Sequence, residues 1–332
     1  MLKRYATVLA LTLLQIAFTP AEGAGHGAAL KADADNYAAW RAATVPVLAA
    51  HEDADSLATA AALTFVGPPA RPKAESMKAA AAALDFAVRA GELAPQNPAI
   101  TWLRVQLCTN VPSCDIREAA TTLRWVDADN AAAWLPTLAA AQKDRDTVQV
   151  DRVLADMAEG TRFDLYGNRT AVLMYDALRK VRGAVPVNYL KSDLARVTEA
   201  MGIAGAVVMP SFSPLINACR DATAAERREA CLRLSKIMQR ADAVMTQLVG
   251  FAIAKRLATD ARELRMIAEH RRSLEWRLSA ANQSDTPLLP WLRNARARSR
   301  MAKMRAMSRE EDVCIALLRE HGLPLDPPEE HR

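Results

Sequence analysis

Glycine is scarce in this chain, at 12 of 332 residues. No two of them are arranged as a phosphate-binding loop or a dinucleotide fingerprint, both of which need glycine where the backbone must approach a phosphate closely. Histidine is scarcer, at 5 residues. His26 lies near the N-terminus, His321 and His331 near the C-terminus, and neither His51 nor His270 has a nucleophile or metal ligand at motif spacing. The polar group His51, Glu52, Asp53 and Asp55 reads as a turn, with Asp55 or Ser56 capping the next helix. No cofactor and no metal are expected. No stretch alternates apolar and polar residues with β-branched enrichment, so strands are not expected either. An enzyme stays open only as a pair of carboxylates acting as acid and base, which needs no readable spacing.

What the chain does contain is a repeated word. DADNAAAW occupies 127–134, APQNPAITW 94–102 and DADNYAAW 33–40. Asn36 and Asn130 each stand four residues before a tryptophan, and Asn97 five before its own. Trp102 and Trp134 are 32 residues apart; Trp40 and Trp102 are 62 apart, close to twice that. A period near 32 that spans two helices marks a helical repeat array. Each word reads as a helix end, a turn and a new helix start. Asp129 or Asn130 supplies a side-chain oxygen for the orphan N–H groups of the first turn, and the tryptophan anchors the groove between paired helices. Ala83, Phe86, Ala90, Leu93 and Pro95, followed by 97–102, resemble the second helix of a tetratricopeptide repeat, its closing proline and the next first helix. The resemblance runs from 33 to 160, with Leu138 and Ala141 where that family's glycine and tyrosine stand and Ala128 in place of proline. It implies stacked helical hairpins in an α-solenoid, with an extended concave surface for a protein or peptide partner. The whole chain also resembles uncharacterised exported helical proteins of gram-negative bacteria.

Residues 1–23 read as a secretory signal peptide. Lys3 and Arg4 precede an apolar run from 6 to 18, and cleavage after Ala21, Gly23 or Ala24 fits the small residues there. The run is too short to span a membrane. A chain beginning at Ala24 keeps +4 of the formal +5, since Lys3, Arg4 and Glu22 sum to +1. That mild excess does not point to nucleic acid, and no nucleic-acid partner is expected. The expected location is the periplasm or beyond. Five cysteines agree with that. Cys108 with Cys114, and Cys219 with Cys231, each straddle an apparent helix–helix turn and are expected as disulfides in an oxidising compartment. By chain entropy they contribute about 2 and 3 kcal/mol. Cys314 is left over as a buried thiol.

The repeat words stop at Thr161. The repeat region is therefore 24–183, with a turn-rich boundary near Gly183, and 184–325 forms an additional C-terminal helical region before a flexible tail at 326–332. Pro46 is expected to kink or break the first helix. Residues 224–258 read as one long helix or two in line, with Gly250 marking close helix contact. Residues 291–309 hold seven cations and no acid. Arg293, Arg296, Arg300 and Lys303 fall along one side of a helix there, a possible contact for an acidic partner such as an anionic membrane surface. The alternative is that Met301, Met304 and Met307 pack inward and the arginines pair with acids. The function expected first is an exported interaction or scaffold module, then an envelope-surface binder, then an enzyme.

Overall fold

A computed structural model describes residues 25–66, 72–185, 189–220, 222–284 and 290–328. The signal-peptide reading lies outside them, as do the last four residues of the tail. Among the described residues there are fifteen α-helices, one 3-10 turn and no strand. In chain order these are α1 Gly25–Ala50, α2 Ala54–Phe65, α3 Lys73–Leu93, α4 Pro98–Cys108, α5 Ile116–Val126, the 3-10 turn Ala131–Trp134, α6 Leu135–Lys143, α7 Thr147–Ala158 and α8 Gly167–Lys180. Then follow α9 Asp193–Val208, α10 Ser213–Arg220, α11 Ala225–Met238, α12 Val244–Leu257, α13 Ala261–Ser284, α14 Pro290–Ala306 and α15 Glu310–Glu320. The chain divides into two compact units, 1–39 and 40–332, and only the opening of α1 is described in the first.

Short polar side chains start most of the array helices. Asp53 accepts from Ser56 N, Asn97 from Ala99 N, Asp115 from Arg117 N and Glu118 N, Asn130 from Ala132 N, and Asp146 from Gln149 N. Each satisfies N–H groups that a helix start leaves without an internal acceptor. Two expectations change here. Asp53, not Asp55 or Ser56, caps α2. The first of the three words starts nothing, because α1 runs unbroken through Asn36 and on past Pro46 to Ala50. An alanine-rich stretch suits a helix interior as well as a helix start.

From α2 to α7 each helix packs on the next. Alanine makes the close approach possible: Ala60, Ala61, Ala62, Ala83, Ala87 and Ala90 are wholly buried between α2 and α3 and their neighbours. The chain then returns on itself. α8 packs against α2, α9 against α8, α2 and α4, and α10 against α6. Trp102, fully buried in α4, donates its Nε1 to Val208 O at the end of α9, 2.8 Å away. So alternate helices of the array carry a third layer made by the chain itself. The joint at Gly183 is a turn inside one compact unit, since α8 before it and α9 after it pack on each other.

Residues 224–258 form two helices, α11 and α12, which lie side by side and not in line. Gly250 sits where they touch. A Cβ there would lie 2.8 Å from Met238 Cβ, 2.9 Å from Gln239 N and 3.0 Å from Ser235 O. α12 and α13 share a satellite core of Val244, Phe251, Ala254, Ile267 and Leu274, and α13 also packs on α15. The start of the expected tail is tied down: Arg277 donates to Leu325 O at 3.1 Å and pairs with Asp326 at 3.3 Å.

Gly250→Ala should therefore cost about 1–3 kcal/mol through overpacking. Gly91→Ala, inside α3 with open space at the Cβ position, should gain about 0.5–1 kcal/mol. Paired urea titrations at one pH check both signs.

Candidate functional site

The richest cluster of polar side chains lies where the array ends and the chain turns back. Asp127 and Asn130 come from the turn after α5, and Arg162, Asp164 and Tyr166 from the segment before α8. The two segments meet in a single parallel bridge, Asn130 with Arg162. Ala131 N donates to Arg162 O at 2.9 Å, and Thr161 N to Asp129 O at 3.0 Å. Gly160 is held close to this turn, where a Cβ would lie 3.1 Å from Ala131 N and from Asp129 O.

Asn130 is wholly buried and uses its amide fully. Its Oδ1 accepts from Ala132 N at 3.1 Å and Asp164 N at 2.9 Å; its Nδ2 donates to Asp164 O at 2.9 Å and to Tyr166 Oη at 2.8 Å. Asp127, 5 % exposed, accepts from both the Tyr166 hydroxyl and the Arg162 guanidinium. Arg162 also reaches Asp164 at 2.8 Å. Burial pushes the Tyr166 phenol up to about 12, so it stays a donor. Tyr166 is held at φ +59, the left-handed region, at a cost of about 1–2 kcal/mol.

That left-handed residue turns successive amides toward a second acid. Asp242, from the break between α11 and α12, is 5 % exposed and accepts from Leu165 N at 2.9 Å, with further bonds from the N–H groups of Tyr166 and Gly167. It does for α8 what Tyr166, the residue at the cap position, does not. The pattern repeats at α12, whose cap position holds Ala243 and whose Val244 N donates to Glu310 Oε2 at 2.8 Å. Glu310 N donates in turn to Asp242 O at 2.7 Å. Three helix starts, α8, α12 and α15, thus meet around Asp242 and Glu310. Asn168 adds a tie from α8 to the end of the α14 segment, donating to Met307 O and Ser308 O at 3.2 Å.

Sequence reading named Asn130 as a cap but not its partners. Asp242 lies inside 224–258, which reads as one long helix or two in line, and 162–167 carries no motif. No local signal marks either, because the bonds join positions 34 to 77 residues apart.

Cys108–Cys114 and Cys219–Cys231 are disulfides, with Cα atoms 5.4 and 5.7 Å apart, and Cys314 is buried and in neither disulfide. The first links the end of α4 to the loop before α5, the second α10 to α11.

The four cations Arg293, Arg296, Arg300 and Lys303 do not make one open face. Arg293 is exposed and Arg296 half-buried, but Arg300 is 7 % exposed and donates to Ala281 O on α13. Lys303 is held by Ser299 Oγ at 2.7 Å and by Glu320 of α15. The side of α14 that holds Arg300 also holds Ala297, Met301 and Met304, all buried, and this packing sets the helix orientation. Its remaining cations bind neighbours: Arg298 pairs with Asp193 of α9 at 2.8 Å and Arg305 with Asp176 of α8 at 2.6 Å.

Among the described residues no three His, Cys, Asp or Glu side chains gather as a metal site. A cavity of about 20 Å³ lined by Trp40, Thr44, Tyr189 and Arg196 among others has room for one water. No protein-family model, curated protein or solved structure matches the chain.

Two outcomes follow from this geometry. Asn130→Ala strands Asp164 N and Ala132 N and should cost about 3 kcal/mol, read as a lower urea midpoint at unchanged slope. Alkylation of the unreduced, denatured protein should label one thiol, Cys314, against five after reduction.

Proposed function

We propose that this chain is an exported interaction module that holds a protein or peptide partner on the outer side of its helical array. The supporting observation is Trp125. It lies in α5 and is 73 % exposed, while Ala119, Ala120 and Leu123 of the same helix are buried. Tryptophan is enriched at the centres of protein interfaces, where its large apolar body and single donor both find use. Leu93 at the end of α3 and Val148 at the start of α7 are 55 % and 71 % exposed. In a tetratricopeptide-like solenoid the concave side would be the expected docking surface. Here α8, α9 and α10 already lie on α2, α4 and α6, and α11 lies on α7, so the reading moves the partner to the side of α3 and α5. Two disulfides suit an oxidising compartment and support the exported half of the proposal.

A photo-cross-linking residue at position 125, in the native host, should yield one reproducible adduct. The same residue at Arg265, exposed on α13, should not. Trp125→Ala should weaken capture of that partner at least tenfold while leaving Tm within about 1 °C, as expected for an exposed side chain. No adduct at 125, with turnover of a small molecule by the purified chain, would replace this reading with an enzyme.

A further inference from the structure

We propose that Asp242 and residues 163–167 form a proton-operated clasp that keeps α8 seated on the array. The inference goes beyond the interaction reading and needs no partner to be tested.

The clasp is a matter of geometry first. One side chain, 5 % exposed, closes the start of α8 from 77 residues away. The backbone of the same residue receives the first N–H of α15, whose Glu310 closes the start of α12. When Asp242 lets go of Leu165, α8 loses the acceptor for its opening turn, and no side chain at its own cap position replaces it. α8 packs on α2, and with α9 and α10 it forms the layer covering the inner side of the array. One carboxyl therefore stands between a seated and a loosened third layer.

Burial first, and the charges around it second, set the direction against three backbone N–H bonds that favour the charged form. Asp164 faces Asp242 across the bonded amides. Arg162, the nearest cation on that segment, is spent on Asp127 and Asp164. The Tyr166 hydroxyl is given to Asp127. On the α15 side Glu310 faces Arg300, and Arg309 pairs with Glu311 and Asp312. Among the described residues no ion pair reaches Asp242. Burial, with Asp164 next, pushes its carboxyl up to about 7, and burial raises Glu310 in the same direction. In the loosened state Asp242 meets water and returns toward its ordinary value near 3.8. Between about pH 4 and 7 the seated state therefore holds a proton that the loosened state has released. Seating is fully favoured below that window and weakens as pH rises through it, with the loosened population growing about tenfold per pH unit and levelling above 7.

Native-state hydrogen exchange of the full chain between pH 5 and 8, corrected for intrinsic rates, tests this. Protection of the Leu165, Tyr166 and Gly167 amides should fall about 50-fold from pH 5 to pH 7, then change little. Asp242→Asn should flatten the profile. Protection independent of pH in the wild type, or an unchanged fall in Asp242→Asn, would overturn the clasp. Should the variant not fold, the carboxyl carbon of Asp242 in the wild type decides. A midpoint near 7 supports the clasp and one near 4 overturns it.

Discussion

Asp242 is the point at which this fold is conditional on itself. A helix start leaves N–H groups that need acceptors, and in most of the array each helix finds one within three residues of its own sequence. α8 and α12 find theirs on distant segments, Asp242 and Glu310. Neither start is satisfied until the array's exit, the α11–α12 break and the start of α15 have come together. Local order here depends on global order, which concentrates cooperativity at one joint. Asn130 and Asp127 extend the joint into the array, since both reach the segment that presents amides to Asp242.

The parts of the structure written locally were legible in the sequence. Asn97 and Asn130 cap the helices their words announce, Gly250 marks a contact with no room for a methyl group, and both cysteine pairs bridge a single turn. The parts settled by distant partners were not. The break between α11 and α12 carries no glycine or proline; it is made by residues such as Asp242 whose bonds lie elsewhere. The first repeated word differs from the third only in Tyr37 for Ala131, yet its alanines sit inside α1. The basic run showed a cationic stripe to a helical wheel, but Met301 and Met304 compete for the inward side and carry Arg300 in with them. Charge alone did not set the orientation; apolar burial did.

Coverage of α2, α4 and α6 by α8, α9 and α10 changes what the array can offer. The side that a bare solenoid presents to a ligand is here part of the core, with Trp102 sealed into it by Val208. Of the other set, α7 is covered by α11, and α5 carries a large exposed aromatic, Trp125.

The two disulfides close loops of only 6 and 12 residues, whereas α8 meets α2 and Trp102 meets Val208 across more than a hundred. If the chain is exported as proposed, N-terminus first, each sulfur pair can join as soon as its own hairpin has emerged. The long-range layer has to wait for residues still to come, and contacts of that span form slowly. Oxidation of Cys108 and Cys114 can thus be complete while the inner side of the array is still bare. The half-delivered chain would be a covalently set ladder of hairpins with its inner side open. That is the interval in which a folding helper could hold it, before the chain's own later helices take the place.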